Sequence, residues 1–347
     1  MKNKLAIYSI AVAAMVGTLP AHAEITAYGR VTYNAILDDT TDDVFFGRHE
    51  FAESNFGIKG SKKWGNITIG ANVEVGLNEG VSNLTQTGNN ARTRIQQISV
   101  SSKKYGTLKL GSGPAVTWVV SDVDQSGTWF SDPLGVSSRF GASRRGPAGQ
   151  SQTPFVQGQG IFGERVRYDS PKFWGGAVIQ AQLGEDNSNE IAFKYVGKNG
   201  IRFNVWNSDY GDGDNDSNVQ ENIDGVEGLQ GFFGAERGRG VLLAYKHSSG
   251  FNINTTHVIA DQFAGGDRDL SVIKLGYTVG KHAVSISQGY YGSEDATGAS
   301  GPDHERTTFA YNFKPVAGIQ FWAQATNGDT DGEESFNSFV IGGLVKL

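Results

Sequence analysis

The stretch Ile25-Thr26-Ala27-Tyr28-Gly29-Arg30-Val31-Thr32-Tyr33-Asn34-Ala35 alternates strictly. Its odd positions, Ile25, Ala27, Gly29, Val31, Tyr33 and Ala35, form one apolar face. Thr26, Tyr28, Arg30, Thr32 and Asn34 form the other. A period of two is that of a strand with one face buried. The pattern recurs in 66–75, where Ile67, Ile69, Ala71, Val73 and Val75 oppose Asn66, Thr68, Asn72 and Glu74. It recurs again at Ile191, Phe193 and Tyr195, at Ile201, Phe203 and Val205, and at Thr307, Phe309, Tyr311 and Phe313. No apolar stripe with a 3.6-residue period and comparable length follows residue 23.

Extended along the chain, this reading predicts sixteen strands. Their spans are 25–36, 46–60, 66–77, 92–103, 106–113, 161–170, 176–184, 190–197, 200–208, 239–248, 251–261, 270–279, 281–291, 305–313, 318–327 and 336–347. The second and fourth spans alternate poorly. Arg92, Arg94, Ile98 and Val100 share a parity, which predicts a bulge or a shifted boundary.

The connections alternate short and long. Short ones fall at 61–65, 104–105, 171–175, 197–199, 249–250, 280 and 314–317. Long ones fall at about 37–45, 78–91, 114–160, 185–189, 209–238, 262–269, 292–304 and 328–335. In an up-and-down meander, all short turns share one end and all long loops share the other. Charge follows the same partition. Lys62, Lys63, Lys103, Lys104, Lys172, Lys198, Lys281 and Lys314 sit at short turns. Asp38, Asp39, Asp42 and Asp43 crowd the first long loop, and Asp209, Asp212, Asp214, Asp216, Glu221, Asp224 and Glu227 crowd the fifth. Asp329, Asp331, Glu333 and Glu334 crowd the last.

Composition narrows the class. Of 347 residues, 38% are hydrophobic, 48 are glycine and none is cysteine. That excludes a bundle of transmembrane helices, each needing about 20 consecutive apolar residues. It excludes a disulfide scaffold, a cysteine-ligated metal and a cysteine nucleophile. The glycines follow no three-residue period, which excludes collagen, and 20 Phe, 12 Tyr and 6 Trp argue against disorder. Lys2 and Lys4, the apolar run 5–19, and Ala21-His22-Ala23 before Glu24 have the layout of a secretory signal peptide over 1–23. Loss of its two lysines takes the formal net charge from −6 to −8. That charge argues against nucleic acid as a partner.

Alternation alone does not separate a soluble barrel, apolar inside, from a membrane barrel, apolar outside with a polar lumen. Three features favour the membrane barrel. The strand number is even, turns and loops differ in length by end, and aromatic residues recur near strand ends as an interfacial girdle requires. These are Tyr28, Tyr105, Phe173, Trp174, Tyr195, Tyr245, Tyr277, Tyr290, Tyr291, Tyr311 and Phe313. Closure is needed as well, because an open sheet edge in lipid leaves backbone groups unpaired.

Four segments then resemble the trimeric general porins of Gram-negative outer membranes. Ser54-Asn55-Phe56-Gly57-Ile58-Lys59-Gly60 is similar to that family's second-strand motif. Tyr105-Gly106-Thr107-Leu108-Lys109-Leu110-Gly111 resembles the hairpin before the constriction loop. Val166-Arg167-Tyr168-Asp169-Ser170-Pro171 resembles the strand that leaves that loop, and Ala27-Tyr28-Gly29-Arg30-Val31 fits the opening strand. The family usually ends in Phe, whereas this chain ends Leu344-Val345-Lys346-Leu347; the alternation of Phe339, Ile341, Val345 and Leu347 is kept.

The resemblance implies an all-β fold over 24–347, a 16-stranded antiparallel transmembrane β-barrel with an inward-folded third loop at about 114–160. It implies a homotrimer in outer-membrane lipid and lipopolysaccharide, passing ions and small hydrophilic solutes. The loop carries Asp122, Asp124 and Asp132 early and Arg139, Arg144 and Arg145 late. Lumen parity holds Arg30, Lys59, Arg165, Arg167, Lys194 and Arg202 against Glu74 and Asp169. Opposed charges at a narrow point bias ion passage, and the cationic surplus points to anions. The competing reading is that these arginines pair with loop carboxylates and only hold the loop.

Other motifs carry less. Asp212-Gly213-Asp214-Asn215-Asp216 lacks the glycine and closing glutamate of a calcium loop at the required offsets. His247 and His257 at best face each other across a tight turn, and no HExxH or Gly-x-Ser-x-Gly arrangement exists. No cofactor, metal or catalytic residue is expected. Two alternatives stay open: an outer-membrane barrel enzyme of lipase or protease type, and a secreted, soluble β-rich carbohydrate-binding protein.

Overall fold

The structure is a computed structural model. It describes residues 24–39, 44–47, 54–77, 91–118, 120, 125–129, 162–184, 188–209, 235–262, 266–301, 303–332 and 334–347. The signal segment 1–23 and the acidic motif 212–216 lie outside the described residues.

The strands are β1 (Glu24–Asp38), β2 (Val44–Gly47), β3 (Asn55–Trp64), β4 (Ile67–Leu77), β5 (Ala91–Ser102) and β6 (Gly106–Pro114). They continue with β7 (Phe162–Asp169), β8 (Ala177–Gly184), β9 (Asn189–Val196), β10 (Ile201–Asp209), β11 (Ala235–Lys246) and β12 (Phe251–Gln262). The last five are β13 (Asp267–Val279), β14 (His282–Ser293), β15 (His304–Phe313), β16 (Ile319–Thr330) and β17 (Phe336–Lys346). Consecutive strands pair antiparallel, except that β2 and β3 each pair with β1 rather than with one another, and β1 pairs with β17, which closes the barrel. Both β2 and β3 pair with β1, at Ile36↔Phe45 and Ala27↔Ile58 respectively. They are two pieces of one wall strand, so the wall has sixteen strand positions. The predicted span 46–60 overlaps both pieces, and 48–53 lie outside the described residues.

The fourth predicted span resolves differently. Glu74 pairs with Ile95 and Val75 with Thr93, so Arg94 is an extra residue in β5. One extra residue inverts the parity of everything beyond it. Arg94 is therefore buried on the inner face, while Ile98 and Val100, of the same parity, are exposed on the outer one.

The two faces differ as a membrane barrel requires. Large apolar side chains exposed outward include Val31, Tyr33, Phe56, Ile69, Ile98, Leu110, Leu183, Leu243, Ile273, Phe309, Phe321 and Ile341. The opposite parity carries Thr32, Asn34, Gln182, Asn204, Asn254, Thr256, Ser285, Thr308, Gln324 and Ser338, all buried. Side chains converge on the concave side of a closed wall, which buries them there. This apolar outer belt removes the soluble alternative. No helix among the described residues is long and apolar enough to cross a membrane.

Two members of the expected girdle face the other way. Tyr28 points inward, its hydroxyl donating to Asn72 Oδ1 at 2.9 Å and its ring lying over Gly57. Tyr291 is 4% exposed within an apolar cluster of the inner wall. Both share parity with polar neighbours rather than with the lipid face. The histidines also separate. His247 N–H donates to Phe251 O across the turn, while His257 pairs with Val241 further up the wall.

The closure seam depends on a glycine. Trp322 Nε1 donates to Asn34 Oδ1 at 3.1 Å, reaching across β17 from β16 to β1. Gly342 lies between them, and a Cβ there would meet Asn34 Oδ1 at 2.1 Å and the Trp322 ring at 2.4 Å. Gly342→Val is expected to lose this bond and overpack the seam, at a combined cost of about 2–4 kcal/mol. A lower urea midpoint for loss of the folded, heat-modifiable gel band would show it. An unshifted midpoint would mean that the seam tolerates displacement of Trp322.

Candidate pore constriction

β6 and β7 supply the entry and exit of the longest loop. Gly106, with φ +84°, opens β6 where a Cβ would strike Asp169 O at 2.3 Å, so the aromatic-glycine pair Tyr105-Gly106 marks a position open only to glycine. Pairing of β6 with β7 ends at Pro114↔Phe162, and proline cannot continue the ladder. The chain then leaves the wall and crosses the inside of the barrel.

The described part of this loop is held by the wall through its backbone. Val116 N–H donates to Gln182 Oε1 at 2.8 Å. Thr117 N–H and Oγ1–H both donate to Glu190 Oε2, at 2.8 and 2.6 Å. Lys194 Nζ donates to Val116 O at 2.9 Å and Asn204 Nδ2 to Val120 O at 2.9 Å. Gln125 N–H donates to Asn254 Oδ1 at 2.7 Å. Thr278 Oγ1 donates to Ser126 O and Asn312 Nδ2 to Gly127 O, both at 2.9 Å. Thr128 and Ser285 hydroxyls meet at 2.7 Å. The partners step from β8 through β9, β10, β12, β13 and β14 to β15. The described loop residues thus follow the inner wall from β8 to β15, and the wall's side chains hold most of them through the loop backbone.

Two loop side chains do pack. Val116 and Val120 are fully buried against Trp206, Leu242, Val258, Leu270, Val272 and Tyr291. The inner face across β10–β14 therefore carries an apolar patch among its polar residues, in addition to the polar lumen expected. Burying one valine contributes about 1.5–3 kcal/mol, comparable with one charged hydrogen bond.

The residues singled out from the sequence fall into three groups. Arg165, Arg167, Asp169 and Lys194 cluster where the loop leaves the wall. Arg167 Nη1 donates to Pro114 O and Ala115 O, each at 3.2 Å, while its Nε donates to Asp169 Oδ1 at 2.8 Å. Lys109 also reaches Asp169, at 2.8 Å. Arg165 donates to Gly163 O and to Gln182 Oε1. Arg167 and Lys194 thus donate to backbone carbonyls at the start of the loop, those of Pro114, Ala115 and Val116.

Arg30, Lys59 and Glu74 gather on the adjoining wall, on β1, β3 and β4. Arg94 Nη1 lies 2.9 Å from Glu74 Oε1. The Asn55 carboxamide, with its oxygen turned toward them, accepts from Arg30 Nε at 3.3 Å and Arg94 Nη1 at 2.8 Å. Lys59 Nζ stands 5.6 Å from the Tyr28 ring centroid and is exposed toward the lumen. Arg202, inward on β10, lies nearly half-way round the barrel from Lys59. The third group, Asp122, Asp124, Asp132, Arg139, Arg144 and Arg145, lies outside the described residues.

Sequence reasoning missed Arg94, Lys109, Glu190, Lys274 and Arg306, all on the inner face. Parity identifies Lys109, Glu190, Lys274 and Arg306 once neighbouring strands are in register; Arg94 needed the bulge. No group of three or more metal-ligating side chains occurs among the described residues.

A closed wall of sixteen strand positions, apolar outside and bonded on its inner face to the described loop residues, has the architecture of an outer-membrane channel. The sequence matches the Gram-negative porin family over residues 9–340, and the chain belongs to that family. It is an outer-membrane channel. No curated protein gives a significant match. Solved structures similar in fold include outer-membrane expressed OmpT of Vibrio cholerae, with TM-score 0.64, 13% identity, and 95% of this chain and 99% of that one covered. The anion-selective porin from Comamonas acidovorans has TM-score 0.62, 14% identity and coverage of 94% and 100%. OmpF of Salmonella typhi, in complex with daunomycin, has TM-score 0.62, 11% identity and coverage of 93% and 97%.

Proposed function

We propose that this channel passes small hydrophilic solutes by passive diffusion, prefers anions, catalyses no reaction, and works as a homotrimer after removal of residues 1–23. The charge of the inner face carries the anion reading. Arg30, Lys59, Arg94, Lys109, Arg165, Arg167, Lys194, Arg202, Lys274 and Arg306 face Glu74, Asp169 and Glu190. On β10–β17, no acid occupies an inward wall position between the rims among the described residues. A low-dielectric wall focuses such a field into the water it encloses. A fold neighbour described as anion-selective makes the architecture compatible with that preference.

Support for a non-catalytic role is chemical. Of the described histidines, His247 lies in a turn, His257 and His282 are exposed outside the lumen, and His304, of inner-wall parity, bonds the Thr330 hydroxyl at the long-loop end of the barrel. The trimer rests on the family resemblance and on an apolar outer groove at the closure seam, lined by Tyr33, Ala35, Phe46, Phe321 and Ile341.

Planar-bilayer recording in a salt gradient tests the conduction reading. Stable conductance steps are expected, with a zero-current potential of the sign given by anion flow. A potential of cation sign would overturn the preference, and the absence of steps would overturn the open pore. Light scattering in detergent reads the oligomeric state separately.

A further inference from the structure

The short-turn rim has a composition that conduction does not explain. Its turns carry Lys62 and Lys63, Lys103 and Lys104, Lys172, Lys198, Lys281 and Lys314, every one exposed. The remaining turn, 247–250, follows Lys246 directly. No acid occurs in any of the turns 61–66, 103–105, 170–176, 197–200, 247–250, 280–281 and 314–318. Neighbouring hairpins are two strands apart, roughly 10 Å. That is about one Debye length in physiological salt, so the fields of adjacent turns merge into one cationic collar.

The collar is interleaved with exposed aromatics. Trp64 is 75% exposed, Tyr105 66% and Trp174 80%. Lys104 Nζ lies 5.0 Å from the Tyr105 ring centroid, and Phe173 meets Trp174 edge-on at 5.1 Å. Trp174 also bends a backbone rule. With φ +46° it is the one non-glycine residue in the left-handed region among those described. It and Gly175, at φ +75°, form the centre of the tight turn in which Phe173 and Ala177 exchange backbone hydrogen bonds. Such turns favour Asn-Gly, and a bulky side chain there is strained. Backbone strain retained at a surface residue points to a use for that side chain.

We propose that this rim binds the anionic phospholipid headgroups of the periplasmic leaflet, with the turn lysines on the phosphates and Trp64, Tyr105 and Trp174 at the acyl boundary. Short turns of outer-membrane barrels face the periplasm. Lys62 pairs with Ile69 and Trp64 with Ile67 at the edge of the apolar belt, so these lysines start at the lipid boundary. A lysine stem lies along apolar surface while its ammonium reaches the phosphate layer. The turns are too short to reach a polymer held well away from the membrane. The proposal rests on the barrel in its membrane and not on ion preference.

Brominated lipids test it, because bromine quenches indole fluorescence on contact. Trp64 and Trp174 are the tryptophans exposed at the rim; Trp206 and Trp322 are buried inside, and Trp118 and Trp129 belong to the inner loop. The full chain would be reconstituted with brominated phosphatidylglycerol competing against brominated phosphatidylcholine. The wild type is expected to prefer the anionic lipid by about fivefold per engaged lysine, with the preference collapsing in about 1 M salt. Combined Lys62→Gln, Lys63→Gln and Lys172→Gln should lower it severalfold while conductance and heat-modifiable mobility stay unchanged. Trp174→Asn, which suits the turn, should keep the preference read at Trp64 and lose half the reporter signal. Equal quenching by both lipids in the wild type, or an unchanged preference in the glutamine variant, would overturn the proposal. Equal quenching together with co-sedimentation on an acidic cell-wall polymer would reassign the rim to that polymer and overturn it as well.

Discussion

Replacing Lys59 and Arg202 together by glutamate is expected to reverse the zero-current potential in a salt gradient. Lys59 is exposed to the lumen, and the two side chains stand on nearly opposite walls. Neither is bonded to the described part of the loop, so the bore should keep its shape. Each exchange alters the local charge by two units. One unit charge acting on an ion at 4 Å is worth about 1 kcal/mol in bulk water, and less across a wider, screened lumen. Four units acting at partial strength shift the anion-to-cation permeability ratio by about tenfold, since 1.4 kcal/mol is a factor of ten. The effect should fade in about 1 M salt, where the Debye length is roughly 3 Å. A potential of unchanged sign with intact conductance would show that charges beyond these wall positions set the preference.

The second large effect concerns the seat of the loop. Glu190→Ala with Lys194→Ala removes the acceptor for both Thr117 donors and the donor to Val116 O. The pair leaves net charge unchanged, which separates bore from selectivity. Hydrogen bonds to charged groups contribute about 1.5–3 kcal/mol each. Losing even 3 kcal/mol of local stability raises the released population of the loop about a hundredfold. Open-channel current noise and mean conductance should both rise, with the sign of the zero-current potential retained. Glu190→Gln, which keeps an acceptor oxygen, should rescue most of the quiet state. Quiet channels of unaltered conductance in the double variant would mean that Val116, Val120 and the remaining wall bonds suffice.

These two expectations could not have been written from the sequence. Arg167 and Lys194 were legible as inward residues, because alternate positions of a strand face one side. Their partners were not legible, since Pro114 and Val116 lie 53 and 78 residues away along the chain. Glu190 was overlooked at the first residues of its strand, where parity is hardest to assign. Tyr28 and Tyr291 were placed with the lipid-facing aromatics although their parity puts them inside. Arg94 illustrates the opposite case. Its conflicting parity was visible, and the bulge that explains it depends on the register with β4.

Local chemistry alone determined a great deal here. Alternation every second residue located the strands, glycine and lysine marked the short turns, and the lengths of the connections assigned the two ends. All of this is short-range, encoded within a strand or one hairpin. Which face meets lipid, where the wall closes and how the loop is tethered were decided only by the tertiary structure. Closure brings β1 onto β17, and only then does an inner face exist on which residues such as Glu190 and Thr117, 73 positions apart, can meet. The parity of a strand is a local property; the partner across the lumen is not.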